Sequence, residues 1–382
     1  MASVIWRDHY WRVPLGTLIF LPNGQTTSLV AGDVLGTPRL TSQNQPAGSG
    51  CAASSSAQSY DAQGNATQRD DFNGNRTCYG YDLSRNLEAF RVEGLANTAS
   101  CSGLAAASAT LPAASRKVST QWHPDWRLEA KRAEPGRIVT SVYNGQPDPI
   151  AGGTASCAPA GATLPDGKPI AVLCKRVEQA STDVDGSQGF SATLQSGVAN
   201  RAWSYTYNLN GQVLTAKGPR TDVNETTTYT YYTDTIATHT LGDMATVTNP
   251  LGQVTQYTQY NKYGQLLQMV DPNGVITLNS YDLRQRLTST NVAGQITSYS
   301  YDAAGQLIRV TLPDASYIGY EYDAAHRQRA VFDNLGNRID YTLDNLGNRV
   351  AEAVKDAGGA LRRQLTRSID ALGRVQQVNG RE

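Results

Sequence analysis

The last half of this chain repeats itself. Tyr260-Asn261-Lys262-Tyr263-Gly264-Gln265-Leu266 is echoed by Tyr281-Asp282-Leu283-Arg284-Gln285-Arg286-Leu287 and by Tyr301-Asp302-Ala303-Ala304-Gly305-Gln306-Leu307. Tyr322-Asp323-Ala324-Ala325-His326-Arg327 continues the series, and the lead tyrosines stand 21, 20 and 21 residues apart. A fixed period of this size means that each unit buries its apolar side only by stacking on its neighbours. It also makes shape and surface, before any catalytic pocket, the expected working parts.

Each period divides into two strands and two turns. Secondary turns fall at Asn249-Pro250-Leu251-Gly252, Asp271-Pro272-Asn273-Gly274, Val292-Ala293-Gly294 and Asp333-Asn334-Leu335-Gly336. Asp or Asn opens a turn because its short side chain bonds the backbone ahead, and Gly closes it where a left-handed backbone is needed. Asp302 with Gly305, Asp271 with Gly274, and Gly347 are therefore read as turn-defining residues. Between turns the pattern alternates with period two, as in Tyr317-Ile318-Gly319-Tyr320-Glu321-Tyr322, which sets Ile318, Tyr320 and Tyr322 on one face. Gly and Asn-Gly punctuation every ten residues or so leaves no room for a packed helix. The expected fold is all-β, built of consecutive antiparallel hairpins, none of them stable alone.

The regular array is read over 202–382. An irregular repeat region with loop insertions is read over 51–201, where Tyr60-Asp61-Ala62-Gln63-Gly64-Asn65 and Tyr81-Asp82-Leu83-Ser84-Arg85-Asn86 carry the same signature. Residues 1–50 form a strand-rich N-terminal segment, with Leu18-Ile19-Phe20-Leu21 broken at Pro22-Asn23-Gly24. Two stretches interrupt the repeat, an Ala/Ser-rich one from Thr98 to Ser115 and a Pro/Gly/Ala-rich one from Pro147 to Asp166, and both read as surface excursions. Cys78 with Cys101 and Cys157 with Cys174 each bracket a loop-like segment, so each pair can close a disulfide and leave Cys51 over; five free thiols is the alternative.

Charge excludes some partners. The chain has 33 basic and 33 acidic residues and no electrostatic footprint for nucleic acid or an anionic membrane. No apolar run reaches membrane-spanning length. Leu15 to Leu21 lacks the flanks of a signal peptide, so export would depend on something outside this sequence. The 20 tyrosines outnumber the five phenylalanines, which suits rings that are buried with a polar tip in contact with water.

The Tyr-Asp-x-x-Gly-x-Leu units resemble those of the RHS/YD-repeat family, densely over 202–382 and again over 60–90. Trp122-His123-Pro124-Asp125-Trp126-Arg127 and Gly218-Pro219-Arg220-Thr221-Asp222 are also similar to family segments. The resemblance implies a long β-ribbon that spirals into part of a hollow shell. In that family such shells enclose a toxic domain in bacterial polymorphic toxins and insecticidal complexes, and related teneurin arrays act in cell adhesion. It therefore implies a secreted or cell-surface chain whose partners are the rest of a shell and a toxin or effector cargo. The family's toxin-releasing Asp-Pro-x-Gly motif with its aspartate protease residues is not carried over, because Asp271-Pro272-Asn273-Gly274 lies mid-array. Leu35-Gly36-Thr37-Pro38-Arg39-Leu40 is similar to a segment near that core but stands at the other end of the chain. No toxin domain follows Asn379-Gly380-Arg381-Glu382 in this sequence, so a shell segment or a truncated form is expected, with an open strand edge that favours self-association.

No catalytic, cofactor-binding or metal-binding residue is assigned. His9, His123, His239 and His326 are scattered, and no GxSxG, HExxH, Walker or dinucleotide fingerprint occurs. His326 takes the place of Gly305 in its repeat and reads as a turn residue. Asp183-Val184-Asp185-Gly186-Ser187 faintly suggests a calcium loop, but Leu194 stands where the twelfth-position acid belongs, so it reads as a polar turn. Asp70-Asp71 also read as turn residues. The expectation is a structural, non-enzymatic shell segment. Two alternatives are an adhesion or carbohydrate-binding module, using Trp6, Trp11, Trp122, Trp126, Trp203 and the tyrosines, and a hydrolase sited in 98–200 around His123 and Asp125.

Overall fold

The computed structural model describes residues 17–20, 26–47, 52–106, 110–370 and 374–380. Trp6, His9, Trp11, Pro22-Asn23-Gly24 and Cys51 lie outside the described residues. Among those described there are strands, one short 3-10 turn at Gly189–Ser191 and no α-helix. The chain divides into two units, Met1–Thr226 and Thr227–Glu382.

In the second unit every strand from Thr226–Tyr231 to Val375–Gly380 pairs antiparallel with the next along the chain. The result is an open meander whose register fixes two unlike faces. Tyr299 stands opposite Val310, which stands opposite Ile318; Tyr320 stands opposite Val331, followed by Ile339 and Val354. The other face carries Ser280, Ser289, Ser298 and Thr311 in a row. Of the described residues in this unit only His239, Gly319, Ala330 and Leu365 are buried. The meander is a single layer, held by its ladders and by neighbour-to-neighbour contacts, with no core beneath it.

Gly319 is buried because Phe332, its cross-strand partner, lies over it; a Cβ built there would sit 2.2 Å from the ring. Gly80 and Phe90 repeat this pairing in the first unit. An aromatic ring shielding a cross-strand glycine compensates for the missing side chain.

The first unit is also an antiparallel meander, from Thr17–Phe20 to Val213–Lys217, but it has a core. Cys78, Val92 and Lys117 lie in one cross-strand row, and Phe90, Ser119, Ala133 and Ile138 in the next row on the same face. Segments that leave the meander fold back over that face. Leu104 and Leu111 from the first excursion pack on Val92 and Leu95, and Phe190 and Ala192 pack on Ala133 and Ile138. Burial of these apolar surfaces, at about 25 cal/mol per Å² removed from water, is what the second unit lacks.

The two excursions are pinned. Cys78 is bonded to Cys101 and Cys157 to Cys174, with Cα separations of 5.5 and 5.3 Å. Lys117 is 2% exposed, and its ammonium donates to the carbonyls of Ala105 and Ala106 at 3.1 and 2.9 Å. Burial lowers its pKa, against the pull of Asp183.

A third covering segment is 182–194, whose Asp183-Val184-Asp185-Gly186-Ser187 start read as a polar turn. It is organised by Asp183, a 2% exposed carboxylate that accepts from the amides of Gly186, Gln188 and Gly189. The Asp185 carbonyl accepts from the Lys117 amide at 2.8 Å, which ties the segment to the sheet.

Candidate functional site

The repeated element with the most regular chemistry is the Tyr-Asp turn. At Asp302 the carboxylate accepts the Gln306 amide at 2.8 Å, the Asp302 amide donates to the Gln306 carbonyl, and the Gly305 amide donates to the Asp302 carbonyl. Gly305 has φ +96°, a left-handed angle that costs glycine little. The same geometry recurs at Asp271 with Gly274 and at Asp344 with Gly347. Where glycine is missing, Gln285, Ala315 and His326 adopt the positive φ instead, His326 at 63°; in the Asp82 turn it falls one residue later, on Asn86. Val292-Ala293-Gly294 departs from the pattern: Ala293 and Gly294 both have positive φ, the geometry of a two-residue hairpin turn.

Each turn is joined to its neighbours by two ladders. The lead tyrosine donates its hydroxyl backward: Tyr281 to the Leu266 carbonyl, Tyr301 to Leu287 and Tyr322 to Leu307, at 3.1, 2.8 and 2.9 Å. Tyr81 does the same to Ala66 at 2.9 Å in the first unit. The register shifts at these tyrosines, and a bulge of that kind leaves one ladder group for the hydroxyl to satisfy. The residue after the turn glycine reaches forward. Gln265 donates to the Gln285 carbonyl, Gln306 to His326 and Arg327 to Asp344, at 2.7, 2.9 and 2.9 Å. Tyr is required here in place of Phe because the ring fills the face while its tip pairs a buried carbonyl. Burial pushes the Tyr81 and Tyr260 phenols up to about 12.

The carboxylates and aromatics singled out by the sequence are drawn apart by the fold. Asp70 forms a cross-strand ion pair with Arg76 at 2.7 Å, while Asp71 organises its own turn. Leu35 and Gly36 form a hairpin tip with φ of 56° and 73°. Trp203 lies between the guanidinium groups of Arg176 and Arg201, 5.3 and 5.0 Å from its ring. Trp122 donates to the Glu88 carbonyl at 2.7 Å.

His123 is 3% exposed, and its Nδ1 accepts the amides of Asp125 and Trp126 at 3.1 and 3.3 Å. Burial lowers its pKa, opposed by Asp125 and assisted by Arg85 and Lys168. The ring is thus neutral, with its proton on Nε2. Asp125 is engaged by Lys168, so the two residues do not form a base and its orienting carboxylate. Tyr143 meets the His123 ring edge-on, 5.5 Å between centroids. Beside them, under the second excursion, is a cavity of about 250 Å³ lined in part by Gln121, Lys131 and Thr140. Nothing in the sequence around Thr140 marks this cavity, because its walls come from three strands and two loops that meet only once the strands pair.

In the second unit His239 bridges Asp234 through Nε2 at 3.0 Å and stacks on Tyr232 at 3.5 Å. It closes a long hairpin in which a Tyr-Asp turn has been replaced.

The RHS Repeat family profile matches residues 239–276 and 281–317. Over 116 residues, 30% of this chain, the sequence is 33% identical to "Double-stranded DNA deaminase toxin A" of Burkholderia cenocepacia, of which it spans 8%. The fold matches the crystal structure of TcdB2-TccC3-Cdc42 with a TM-score of 0.60 at 13% identity, covering 93% of this chain and 18% of that one. It matches TcdB2-TccC3 without its hypervariable C-terminal region with a TM-score of 0.61 at 12% identity, covering 96% of this chain and 19% of that one. The chain therefore spans about a fifth of the length of the solved chains it resembles.

Proposed function

We propose that this chain, an RHS-repeat protein, is a wall segment of a shell that holds a separate toxic or effector polypeptide, and that it performs no catalysis of its own. One observation carries the reading. The second unit presents a continuous Tyr/Val/Ile face that no part of that unit covers, including an apolar hollow of about 280 Å³ lined by Ile318, Val331, Ile339 and Val354. A single-layer sheet with one apolar face needs a partner against that face. The likeness to TccC3-containing structures and to a deaminase toxin supports a cargo as that partner. Two disulfides support an oxidising, extracytoplasmic destination.

Hydroxyl-radical footprinting tests this reading. The chain alone is compared with the same chain bound to a co-expressed cargo polypeptide. Tyr299, Tyr320 and Tyr341 are expected to label strongly in the first and to be protected in the second. Equal labelling in both overturns the proposal.

A further inference from the structure

We propose that the cavity beside His123 is a binding site for an acidic monosaccharide, held through its carboxylate. The inference does not depend on the shell reading.

The cavity lies entirely within the first unit. Its floor is the cross-strand row Gln121, Lys131 and Thr140, and Gln146 with Pro147 and Pro149 at the start of the second excursion forms a wall. At about 250 Å³ it is smaller than the roughly 300–1,000 Å³ of drug-sized pockets and suits one small ring. None of its lining residues is Asp or Glu. The nearby acids are spent elsewhere, Asp148 on Lys175 and Asp125 on Lys168.

The cavity offers one cation and further donors but no carboxylate. Lys131 lines it and has no carboxylate partner among the described residues; its ammonium lies 5.5 Å from the centroid of the Phe190 ring. Thr140 is 3% exposed and its Oγ1 has no hydrogen-bond partner. A buried polar group in that state is unfavourable unless something pairs it. The His123 Nδ1 is taken by two backbone amides, which leaves Nε2–H as a further donor. One cation with two neutral donors matches a single carboxylate.

The remaining walls say what carries that carboxylate. The Gln121 and Gln146 amides offer both donors and acceptors, the chemistry that reads ring hydroxyls. The Tyr143 ring gives a flat apolar surface of the kind sugar rings stack on.

Calorimetric titration of the oxidised chain with glucuronate tests this, with glucose and acetate as controls. Glucuronate is expected to bind about tenfold or more tightly than either control, since a charged hydrogen bond contributes roughly 1.5–3 kcal/mol. Lys131→Met is expected to lose about tenfold or more, and Lys131→Arg to retain most of the binding. Thr140→Val is expected to weaken binding about threefold to tenfold while the melting temperature stays level or rises, because it removes an unpaired hydroxyl without changing the side-chain volume. Far-UV circular dichroism checks that each variant is folded. No binding of glucuronate up to about 10 mM overturns the proposal. So does equal binding of glucose or acetate, or undiminished binding by folded Lys131→Met.

Discussion

The hydroxyl of Tyr301 donates to the carbonyl of Leu287 at 2.8 Å, across the boundary between one repeat and the one before it. This contact explains why the lead position is tyrosine, and it is removable by one atom. Tyr301→Phe is expected to destabilise the second unit by about 1 kcal/mol, the usual net value of a buried hydrogen bond. At Leu343, which occupies the lead position of the next repeat, the hydroxyl is absent. Leu343→Tyr is expected to be neutral or stabilising. Urea midpoints of both variants check this, and an unchanged midpoint for Tyr301→Phe removes the ladder from the account.

Gly305 holds φ +96°, with open space where a side chain would go except for an Arg286 nitrogen 3.5 Å away. The cost of a substitution there is therefore backbone strain with little crowding. Gly305→Val is expected to cost on the order of 1 kcal/mol or more. An unaltered melting temperature contradicts the left-handed assignment.

The turn aspartates set an acid limit on stability. Backbone and side-chain hydrogen bonds from Arg286 lower the Asp282 pKa; Arg327 does so for Asp323 and Asn348 for Asp344. Because the folded values lie below the unfolded ones, their contribution is complete above about pH 4 and is lost as pH falls through the depressed folded values. Thermal melts between pH 6 and pH 2.5 are expected to show a falling midpoint below about pH 4. Asn208, Asn249 and Asn261 make the same turn without a titrating group. A triple Asp→Asn change at 282, 323 and 344 is accordingly expected to flatten the profile; an unchanged slope assigns the acid sensitivity to other groups.

Cys157 and Cys174, at a sequence separation of 17, tie the second excursion to the strand Leu173–Ala180. Replacing both by Ser is expected to cost the first unit about 2–4 kcal/mol and to open 144–172 to protease. The second unit is expected to melt as before. Equal protease resistance with and without reductant would show that packing alone holds the excursion.

The period, the strands and the Asp-x-x-Gly turns were legible because each is decided within a few residues of itself. The turn chemistry at Asp302 and Gly305 uses only backbone groups up to four positions away. The tyrosine ladder was not legible, since its acceptor is a main-chain carbonyl in another repeat and carries no residue-type signal. The excursions were visible as breaks in the pattern, but their packing was not. Leu104 and Leu111 sit in an Ala/Ser-rich background, and the Lys117 ammonium that binds the first excursion lies in a strand. Asp183 was legible as part of a polar turn, which its carboxylate does organise; its burial, and the role of 182–194 as a cover over the sheet, were not. His123 was legible as a candidate within 98–200, but the capping of the Asp125 and Trp126 amides by its ring nitrogen was not. The cavity at Thr140 combines residues from three strands and two loops, which only the strand register brings together.

Because every strand from Thr226–Tyr231 onward touches only the strands beside it, the second unit has a natural quantum of length. Excising Tyr281 through Ser300 as a block places Tyr301 after Ser280, so that its hydroxyl meets Leu266 in place of Leu287. Such walls can be lengthened or shortened by whole courses of masonry during evolution, while a cut of any other size throws every later side chain out of step.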